Sequence, residues 1–270
     1  MRLKRRVALL IISMFLVCTL IYRGTAQRVS AQEIEPLPAP QLVTDAWMLL
    51  IGFETDPEAI ESVLPPGLEP HPNNMLVMNM YTVPEASQTS GFGAYTLTYI
   101  TVQVKDQDSY TMASSHKEPG RYFTYYFNSS EIVRNFTKQV GIPAEPGVTK
   151  QTKQNGKLTS VLEVDGKPFI EATADVGEEL QPAAGGHLNY FGLRRIQKDG
   201  SEVTQIIKFP IPYVVRTVNT ANPTVTFKTP ADHALSRLKP TKIVWASYMK
   251  GSFVYPQAQI LQQFESPAKD

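Results

Sequence analysis

The 270-residue sequence contains one cysteine, Cys18, and it lies in an N-terminal segment that we expect to be removed. The remaining chain would then have no disulfide, no thiolate nucleophile and no cysteine metal site. The four histidines are dispersed and form no HxH or HExxH spacing, and no P-loop, dinucleotide fingerprint or G-x-S-x-G elbow is present. The sequence therefore predicts no metal ion and no cofactor.

Positive charge is scarce after residue 31. Residues 1–31 hold six of the 26 basic residues and no acidic residue, which leaves 20 basic against 25 acidic residues in the rest of the chain. A body with a net charge of −5 attracts phosphate backbones poorly. We therefore expect no nucleic-acid partner.

Residues 1–31 have the layout of a secretory signal peptide or a signal anchor. The basic stretch RLKRR at 2–6 precedes an apolar run, Val7–Tyr22, and candidate cleavage sites follow at Ala26 and Ala31. The run of 16 residues is shorter than the roughly 20 that span a bilayer. We expect a secreted or extracytoplasmic protein. Only if the segment is uncleaved would residues 7–22 anchor the chain to a membrane.

The rest of the chain divides into a proline-rich lead-in, residues 32–44, and one domain over residues 45–265. A domain of this length can bury a sizeable core without disulfides. Two N-glycosylation sequons begin at Asn128 and Asn135, and they matter only if the source is eukaryotic.

Strand-like segments dominate this domain. Ala94–Val104 alternates threonine, tyrosine and β-branched residues, and Asp165-Gly166 is a two-residue hairpin signal. Lys242–Met249 and Phe253–Leu261 are predicted as two closing strands. The clearest helical period lies in Ser130–Val140, where apolar residues recur every four positions. We predict an α+β, predominantly β fold with a few short helices on a large, mostly antiparallel sheet or barrel.

Four segments, in order, resemble the acetoacetate decarboxylase family. They are Thr55–Ala59 with Leu64–Glu69, Gly91–Thr96, Asn189–Gly200 and Asp232–Tyr248. The similarity covers roughly residues 45–262. The resemblance implies a β-barrel around a buried pocket, and a mechanism in which a lysine amine forms a Schiff base with a β-keto acid.

The chain departs from the family at the positions that carry this chemistry. The resemblance places the family's lysine pair at Ala144 and Glu145 and a strand carboxylate at Leu97. It places an arginine near Ala46, and a second carboxylate within Leu76–Met80, where no acid exists. Alanine cannot form an imine, so we expect no lysine Schiff base at this position.

Three residues are candidate catalytic groups. Glu145 can exchange protons if it is buried, His116 can titrate in its polar loop, and Arg194 can pair with a carboxylate or carbonyl from its strand. Each residue also has a plain structural interpretation as an exposed loop or strand residue. His187 is open to the same two interpretations. Asp232-His233 could be an acid/base pair, or these residues could cap a helical turn.

Five residues are candidates for contact with a substrate: Leu97, Ala144, Glu145, Tyr125 and Arg194. The first three follow from the family positions. Tyr125 belongs to the aromatic segment 122–127, whose rings could line an apolar pocket or pack the core.

The sequence leaves three functions open for a partner that is a small organic molecule. The first is an enzyme of isomerase, cyclase or lyase type that acts on a keto or enol compound without an imine. The second is a non-catalytic binder of an apolar small molecule. The third is a decarboxylase with a relocated lysine, for which Lys138, Lys150 and Lys153 are available. A homo-oligomer is compatible with each function.

Overall fold

The computed structural model describes residues 37–112 and 117–265, so the predicted signal segment and His116 lie outside the described residues. Strands make up 63% of the described residues, with two α-helices. Neither helix is long and apolar enough to cross a membrane within this part of the chain.

The described residues form thirteen strands and two α-helices. The strands are β1 (Gln41–Glu54), β2 (Met75–Val83), β3 (Tyr95–Thr111), β4 (Glu118–Asn128), β5 (Ala144–Pro146), β6 (Val148–Gln154), β7 (Lys157–Val164), β8 (Lys167–Val176), β9 (Ala184–Lys198), β10 (Ser201–Val218), β11 (Thr220–Phe227), β12 (Lys242–Tyr255) and β13 (Gln259–Glu265). The helices are α1 (Pro57–Val63) and α2 (Glu131–Gln139), and 3₁₀ turns lie at Ala86–Gln88 and Ala234–Leu238.

Seven strands close into a barrel in the order β1, β2, β3, β4, β9, β10, β12 and back to β1. Every neighbouring pair in this ring is antiparallel except β4 and β9, which run parallel. Closure satisfies the backbone hydrogen bonds of the ring without an open edge. The predicted fold class, a predominantly β protein built on a barrel, is confirmed.

A second sheet, in the order β11-β8-β7-β6, packs against the outside of the barrel. Alternation along β1 shows how both faces are used, because successive side chains point to opposite sides of a strand. Leu49 and Ile51 join the cluster shared with Ile170 of the second sheet, whereas Met48 and Leu50 belong to the cluster inside the barrel. Burial on both faces explains why this segment is almost continuously apolar.

Helix α2 closes one end of the barrel. Ser130 caps the helix by accepting a hydrogen bond from the Val133 amide at 3.4 Å. The ring of Phe136 lies 5.1 Å from that of Phe92 and 5.9 Å from that of Tyr255. The helix predicted near residues 130–140 is therefore present, and its apolar face seals this end of the barrel.

The first strand of the barrel includes the last residues of the proline-rich lead-in. Gln41, Leu42 and Val43 already pair with β12, although the sequence placed residues 32–44 in the lead-in. The described residues all belong to one compact unit.

Candidate functional site

The barrel encloses a cavity of about 460 Å³, and each of its seven strands contributes to the wall. Much of the lining is apolar, including Met48, Leu50, Phe123, Leu188, Ile211 and Trp245. A cavity of this size with a largely apolar wall suits a small organic molecule.

A network of buried tyrosines forms the end of the cavity nearest α2. The Tyr81 hydroxyl lies 3.1 Å from that of Tyr95 and 3.2 Å from that of Tyr255. The Tyr126 hydroxyl lies 3.0 Å from that of Tyr255. Burial raises the pKa of all four phenols, so they stay protonated at neutral pH. We call these four residues the tyrosine floor.

A second group of hydrogen-bonded side chains, formed by Asn79, Tyr99 and Tyr190, lies in the cavity wall on the mouth side of the tyrosine floor. Asn79 on β2 donates from Nδ2 to the Tyr99 hydroxyl at 3.0 Å, and that hydroxyl lies 2.9 Å from the Tyr190 hydroxyl. The Asn79 side chain is buried, and its Oδ1 has no hydrogen-bond partner among the described residues. A buried acceptor without a protein partner is rare in folded proteins, and Asn79 also lines the cavity, so a ligand or a water there can satisfy this oxygen.

Arg121 is the cation of the cavity. Its side chain is 4% exposed, and Nη2 donates to Glu118 Oε1 at 2.7 Å. The remaining nitrogens, Nε and Nη1, are buried and find no partner in the part of the chain that the structure describes. Burial alone would lower the pKa of Arg121, but Tyr190, Glu118 and Tyr99 raise the pKa above its ordinary value. The guanidinium therefore keeps its charge inside the barrel.

The mouth of the cavity lies at the end opposite α2. Glu118 is one-third exposed there, and Gln103 accepts a hydrogen bond from Asn73 Nδ2 at 2.6 Å. Gly120 allows the backbone of β4 to approach the backbone of β3 closely. Any larger residue would clash, because a Cβ at this position would lie 2.5 Å from the carbonyl oxygen of Gln107. A glycine next to Arg121 thus lets the long end of β3 pass tightly over β4.

The sequence-predicted site residues lie elsewhere. Leu97 and Ala144 are buried together in the cluster that contains the tyrosine floor, and neither lines the cavity. Glu145 is exposed, so its carboxylate is not held in an enclosed pocket. Leu97 and Ala144 thus belong to one buried cluster, which is rich in packed aromatic rings.

The other two described candidates also lie outside the cavity. Arg194 donates from Nε and Nη2 to Gln205 Oε1 at 3.0 and 2.6 Å, so its guanidinium is engaged by a neighbouring strand. Tyr125 is half-buried on the outer face of β4, where its ring stacks on Phe127. His116 is not among the described residues.

The lysines considered as substitutes are on the surface. Lys138 is exposed, Lys150 pairs with Glu163 at 2.7 Å, and Lys153 pairs with Glu178 at 2.9 Å. Among the described residues that line the cavity there is no lysine, one arginine and one carboxylate, Glu118.

Sequence reasoning missed the polar groups that do face the cavity: Asn79, Tyr99, Arg121 and Tyr190. One signal was available, because Asn79 is the only amide in the otherwise apolar segment Met75–Tyr81. A polar residue that interrupts a buried strand needs a partner, and the partner is often functional. Arg121 gave a weaker signal as the basic residue that opens an aromatic strand.

Comparisons with known proteins agree with this architecture. Residues 26–263 match the family model of acetoacetate decarboxylase. A solved acetoacetate decarboxylase superposes with a TM-score of 0.71 at 18% identity, covering 88% of this chain and 96% of that one. The acetoacetate decarboxylase of Legionella pneumophila superposes with a TM-score of 0.68 at 18% identity, with coverages of 86% and 94%.

A more distant structural neighbour has a different name. The enduracididine biosynthesis enzyme MppR, with HEPES buffer bound, superposes with a TM-score of 0.62 at 13% identity and covers 85% of this chain and 89% of its own. At these identities the structures show a shared fold. No curated protein sequence matches the chain significantly. Because the family model spans far more than half of the sequence, the chain belongs to the acetoacetate decarboxylase family.

Proposed function

We propose that this protein binds a small keto or enol organic acid in the barrel cavity and acts on it without a lysine Schiff base. The observation that carries the proposal is the buried Arg121 guanidinium, whose Nε and Nη1 lack partners among the described residues. Such a group binds a carboxylate or an enolate oxygen strongly, since charge-assisted hydrogen bonds gain strength away from water. The apolar wall around Leu50 and Trp245 would hold the rest of the molecule.

The absence of an imine follows from two features of the site. By the family resemblance, Ala144 stands at the position of the family's lysine pair, and in the structure it is packed beside the tyrosine floor. In addition, the described cavity lining contains no amine. Any chemistry would therefore depend on non-covalent stabilisation of negative charge, with Arg121 and the one free O–H of the Tyr99–Tyr190 pair as donors toward a developing oxyanion.

An enzyme of isomerase or lyase type is the first form of this proposal. The carboxylate of Glu118 lies at the mouth and could move a proton next to a carbonyl group held on Arg121. The raised pKa of Tyr99 makes its hydroxyl a hydrogen-bond donor rather than a base. The structural neighbours are described as enzymes, which favours catalysis by analogy with their fold.

A non-catalytic binding protein is the second form, and a specific contact favours it. Glu118 is already held by Arg121 at 2.7 Å, so the only carboxylate of the described lining is engaged in an ion pair. The ion pair occupies the carboxylate oxygen that would have to face a substrate proton. This arrangement stabilises a binding site better than it supports proton abstraction.

Calorimetric titration with small carboxylates tests the proposal. We expect acetoacetate and its longer homologues to bind the parent protein and the Arg194→Gln variant, whose altered guanidinium lies outside the cavity. Arg121→Gln should weaken binding at least about tenfold, the loss typical of one charged hydrogen bond. Circular dichroism verifies that each variant is folded. Equal affinity in all three proteins, or no binding of any carboxylate, would overturn the proposal.

A bound acid then separates the two forms. Nuclear magnetic resonance in D₂O measures exchange of the protons next to the ligand carbonyl. Exchange above the uncatalysed rate that is lost in Glu118→Gln supports the enzyme. Tight binding without exchange or turnover supports the binding protein.

We also propose that the chain is exported. Support comes from the basic stretch, the apolar run and the small-residue sites within residues 1–31. N-terminal sequencing of the protein from its natural source should start after Ala26 or Ala31. A mature chain that begins at Met1 or Arg2 would contradict cleavage.

A further inference from the structure

We infer that the acid bound in this cavity carries a hydroxyl group, alcoholic or enolic, that binds Asn79. This inference rests on the proposed binding of a small organic acid at Arg121, and it specifies a short acid with one hydroxyl group and an otherwise apolar remainder. It depends on a count of hydrogen-bond donors and acceptors along the chain formed by Asn79, Tyr99 and Tyr190.

The first step of the count is an acceptor that lacks a donor. Asn79 Nδ2 donates to the Tyr99 hydroxyl, but Oδ1 of the same amide is buried and receives no hydrogen bond from the described residues. An unsatisfied buried carbonyl destabilises a protein unless a ligand or a water supplies the missing N–H or O–H. The ligand that fits therefore presents a donor at this point.

The second step is a donor that lacks an acceptor. The hydroxyls of Tyr99 and Tyr190 lie 2.9 Å apart and share one hydrogen bond, which uses one of their two protons. The Tyr99 oxygen already accepts a hydrogen bond from Asn79 Nδ2, so the second hydroxyl proton makes no hydrogen bond to Asn79, Tyr99 or Tyr190. Whichever tyrosine donates, one O–H remains to bind an acceptor on the ligand.

A hydroxyl answers both requirements with a single atom. A ligand hydroxyl can donate to Asn79 Oδ1 and at the same time accept from the remaining tyrosine O–H. A keto oxygen can accept but leaves Asn79 Oδ1 unsatisfied, and a methylene group satisfies neither. The cavity should therefore prefer a hydroxy acid over a keto acid, and a keto acid over a saturated acid.

The position of Arg121 sets the length of the acid. Arg121 and Tyr190 are partners on adjacent strands, and Arg121 interacts electrostatically with both Tyr190 and Tyr99. A carboxylate on the guanidinium would thus lie within a few bonds of a hydroxyl on Asn79. The apolar walls at Met48 and Leu50 then leave room for an aliphatic tail but offer no partner for a second charge.

A matched ligand series tests the inference on the full protein. Calorimetry compares 3-hydroxybutyrate, in both enantiomers, with acetoacetate and butyrate, and then the corresponding six-carbon acids. We expect one hydroxy enantiomer to bind about ten- to a hundredfold more tightly than the saturated acid, because an unpaired buried polar group is costly. Acetoacetate should lie between them.

Two variants connect this preference to the proposed residues. Asn79→Leu keeps a similar size and removes the amide. It should therefore reduce the affinity for the hydroxy acid to the affinity for the saturated acid. The affinity for the saturated acid should change by no more than about twofold, since Arg121 is unchanged. Tyr99→Phe should also lower the preference, and it preserves packing if Asn79→Leu fails to fold. Tyr110→Phe, at a residue that is 58% exposed and outside the cavity lining, is the matched control.

The failures of the two proposals are distinguishable. Acids that bind through Arg121 with equal affinity, or with a preference for the keto acid, would overturn this inference and leave the proposed function in place. A preference that survives in both Asn79→Leu and Tyr99→Phe would do the same. If no acid in the series binds, the proposed function fails, and this inference fails with it.

Discussion

Tyr190 on β9 lies opposite Arg121 on β4, at paired positions of two parallel strands. This is the only parallel junction in the described barrel, whose other neighbouring strands are antiparallel. The pairing places a buried cation beside a hydroxyl that is 2.9 Å from the Tyr99 hydroxyl. The polar groups of the cavity therefore form one connected site on β2, β3, β4 and β9, on the mouth side of the tyrosine floor.

The first prediction concerns covalent chemistry. Incubation of the purified protein with acetoacetate and borohydride should give no stoichiometric reduced adduct on any lysine. The physical reason is that an imine requires a neutral amine in a desolvated site, and Lys138, Lys150 and Lys153 lie on the surface. Mass spectrometry of the digested protein measures the adduct.

An acetoacetate decarboxylase that carries the family's lysine pair is the positive control for trapping. An adduct on a single lysine of this chain would contradict the prediction. The contradiction would be complete if replacement of that lysine by alanine also abolished release of carbon dioxide.

The sequence predicted the fold class well because strand alternation is a local property. It was wrong about β12, which it divided into two strands around Gly251. The structure has one continuous strand, Lys242–Tyr255, and a Cβ at Gly251 would lie 2.6 Å from the methyl carbon of Met48. This glycine serves packing rather than a turn. Strand β6, Val148–Gln154, escaped notice because most of its residues are polar.

The site was less predictable than the fold. The resemblance to the family predicts that the usual lysine and carboxylate are absent at Ala144 and Leu97, and this correspondence stays a prediction. It could not show which groups face the remaining cavity, because Asn79, Arg121 and Tyr190 come from distant parts of the sequence. Closure of the barrel is what brings them together, through pairings between β4 and β9 that no local pattern reveals.

The second prediction is a loss of stability in alkaline solution. Burial raises the pKa of nine tyrosines, to about 12 for Tyr122 and Tyr248. The other seven are Tyr81, Tyr95, Tyr99, Tyr125, Tyr126, Tyr213 and Tyr255. A phenol whose pKa is higher in the folded than in the unfolded state holds its proton more tightly when folded. Its contribution to stability is complete below about pH 10, the ordinary pKa, and is lost as the pH rises through the folded pKa.

Phenolate absorbance and circular dichroism, recorded together against pH, check this prediction. We expect most tyrosines to ionise only as the fold is lost, in one cooperative step. The free energy of unfolding of Tyr126→Phe should depend less steeply on pH above about 10, because one strongly shifted group is gone. Tyr110→Phe should behave like the parent protein. Full ionisation of the tyrosines in a protein that remains folded would refute the argument.

The third prediction concerns the sequon at Asn128. The Asn128 side chain is fully buried, and its Oδ1 accepts a hydrogen bond from the Ser130 amide at 2.7 Å. A glycan would be attached to Asn128 Nδ2, which is buried, and it would need space that the fold does not provide. When the protein is expressed through a eukaryotic secretory pathway, glycopeptide mapping of the folded product should find Asn128 unmodified. Folded protein with a fully occupied Asn128 would disprove this reading.

The last prediction tests the wall of the cavity through Gly52. A Cβ at this position would lie 2.3 Å from Cε2 and Nε1 of Trp245, the residue paired with Gly52 across β1 and β12. Gly52→Ala should push the indole away from its place in the cavity wall. We expect a destabilisation of about 1–3 kcal/mol from overpacking, and a shift in tryptophan fluorescence.

Gly177→Ala is the matched control, because a Cβ there meets its nearest atom at 3.5 Å, an ordinary contact distance. That variant should be as stable as the parent or about 0.4–1 kcal/mol more stable, since alanine reduces the entropy of the unfolded chain. Urea denaturation followed by circular dichroism measures both changes, and calorimetry with the best acid of the ligand series measures the effect on binding. Because Trp245 lines the cavity, Gly52→Ala should weaken the binding of that acid several-fold, whereas Gly177→Ala should leave the affinity unchanged. Unchanged stability and affinity in Gly52→Ala would show that Trp245 does not shape the binding site.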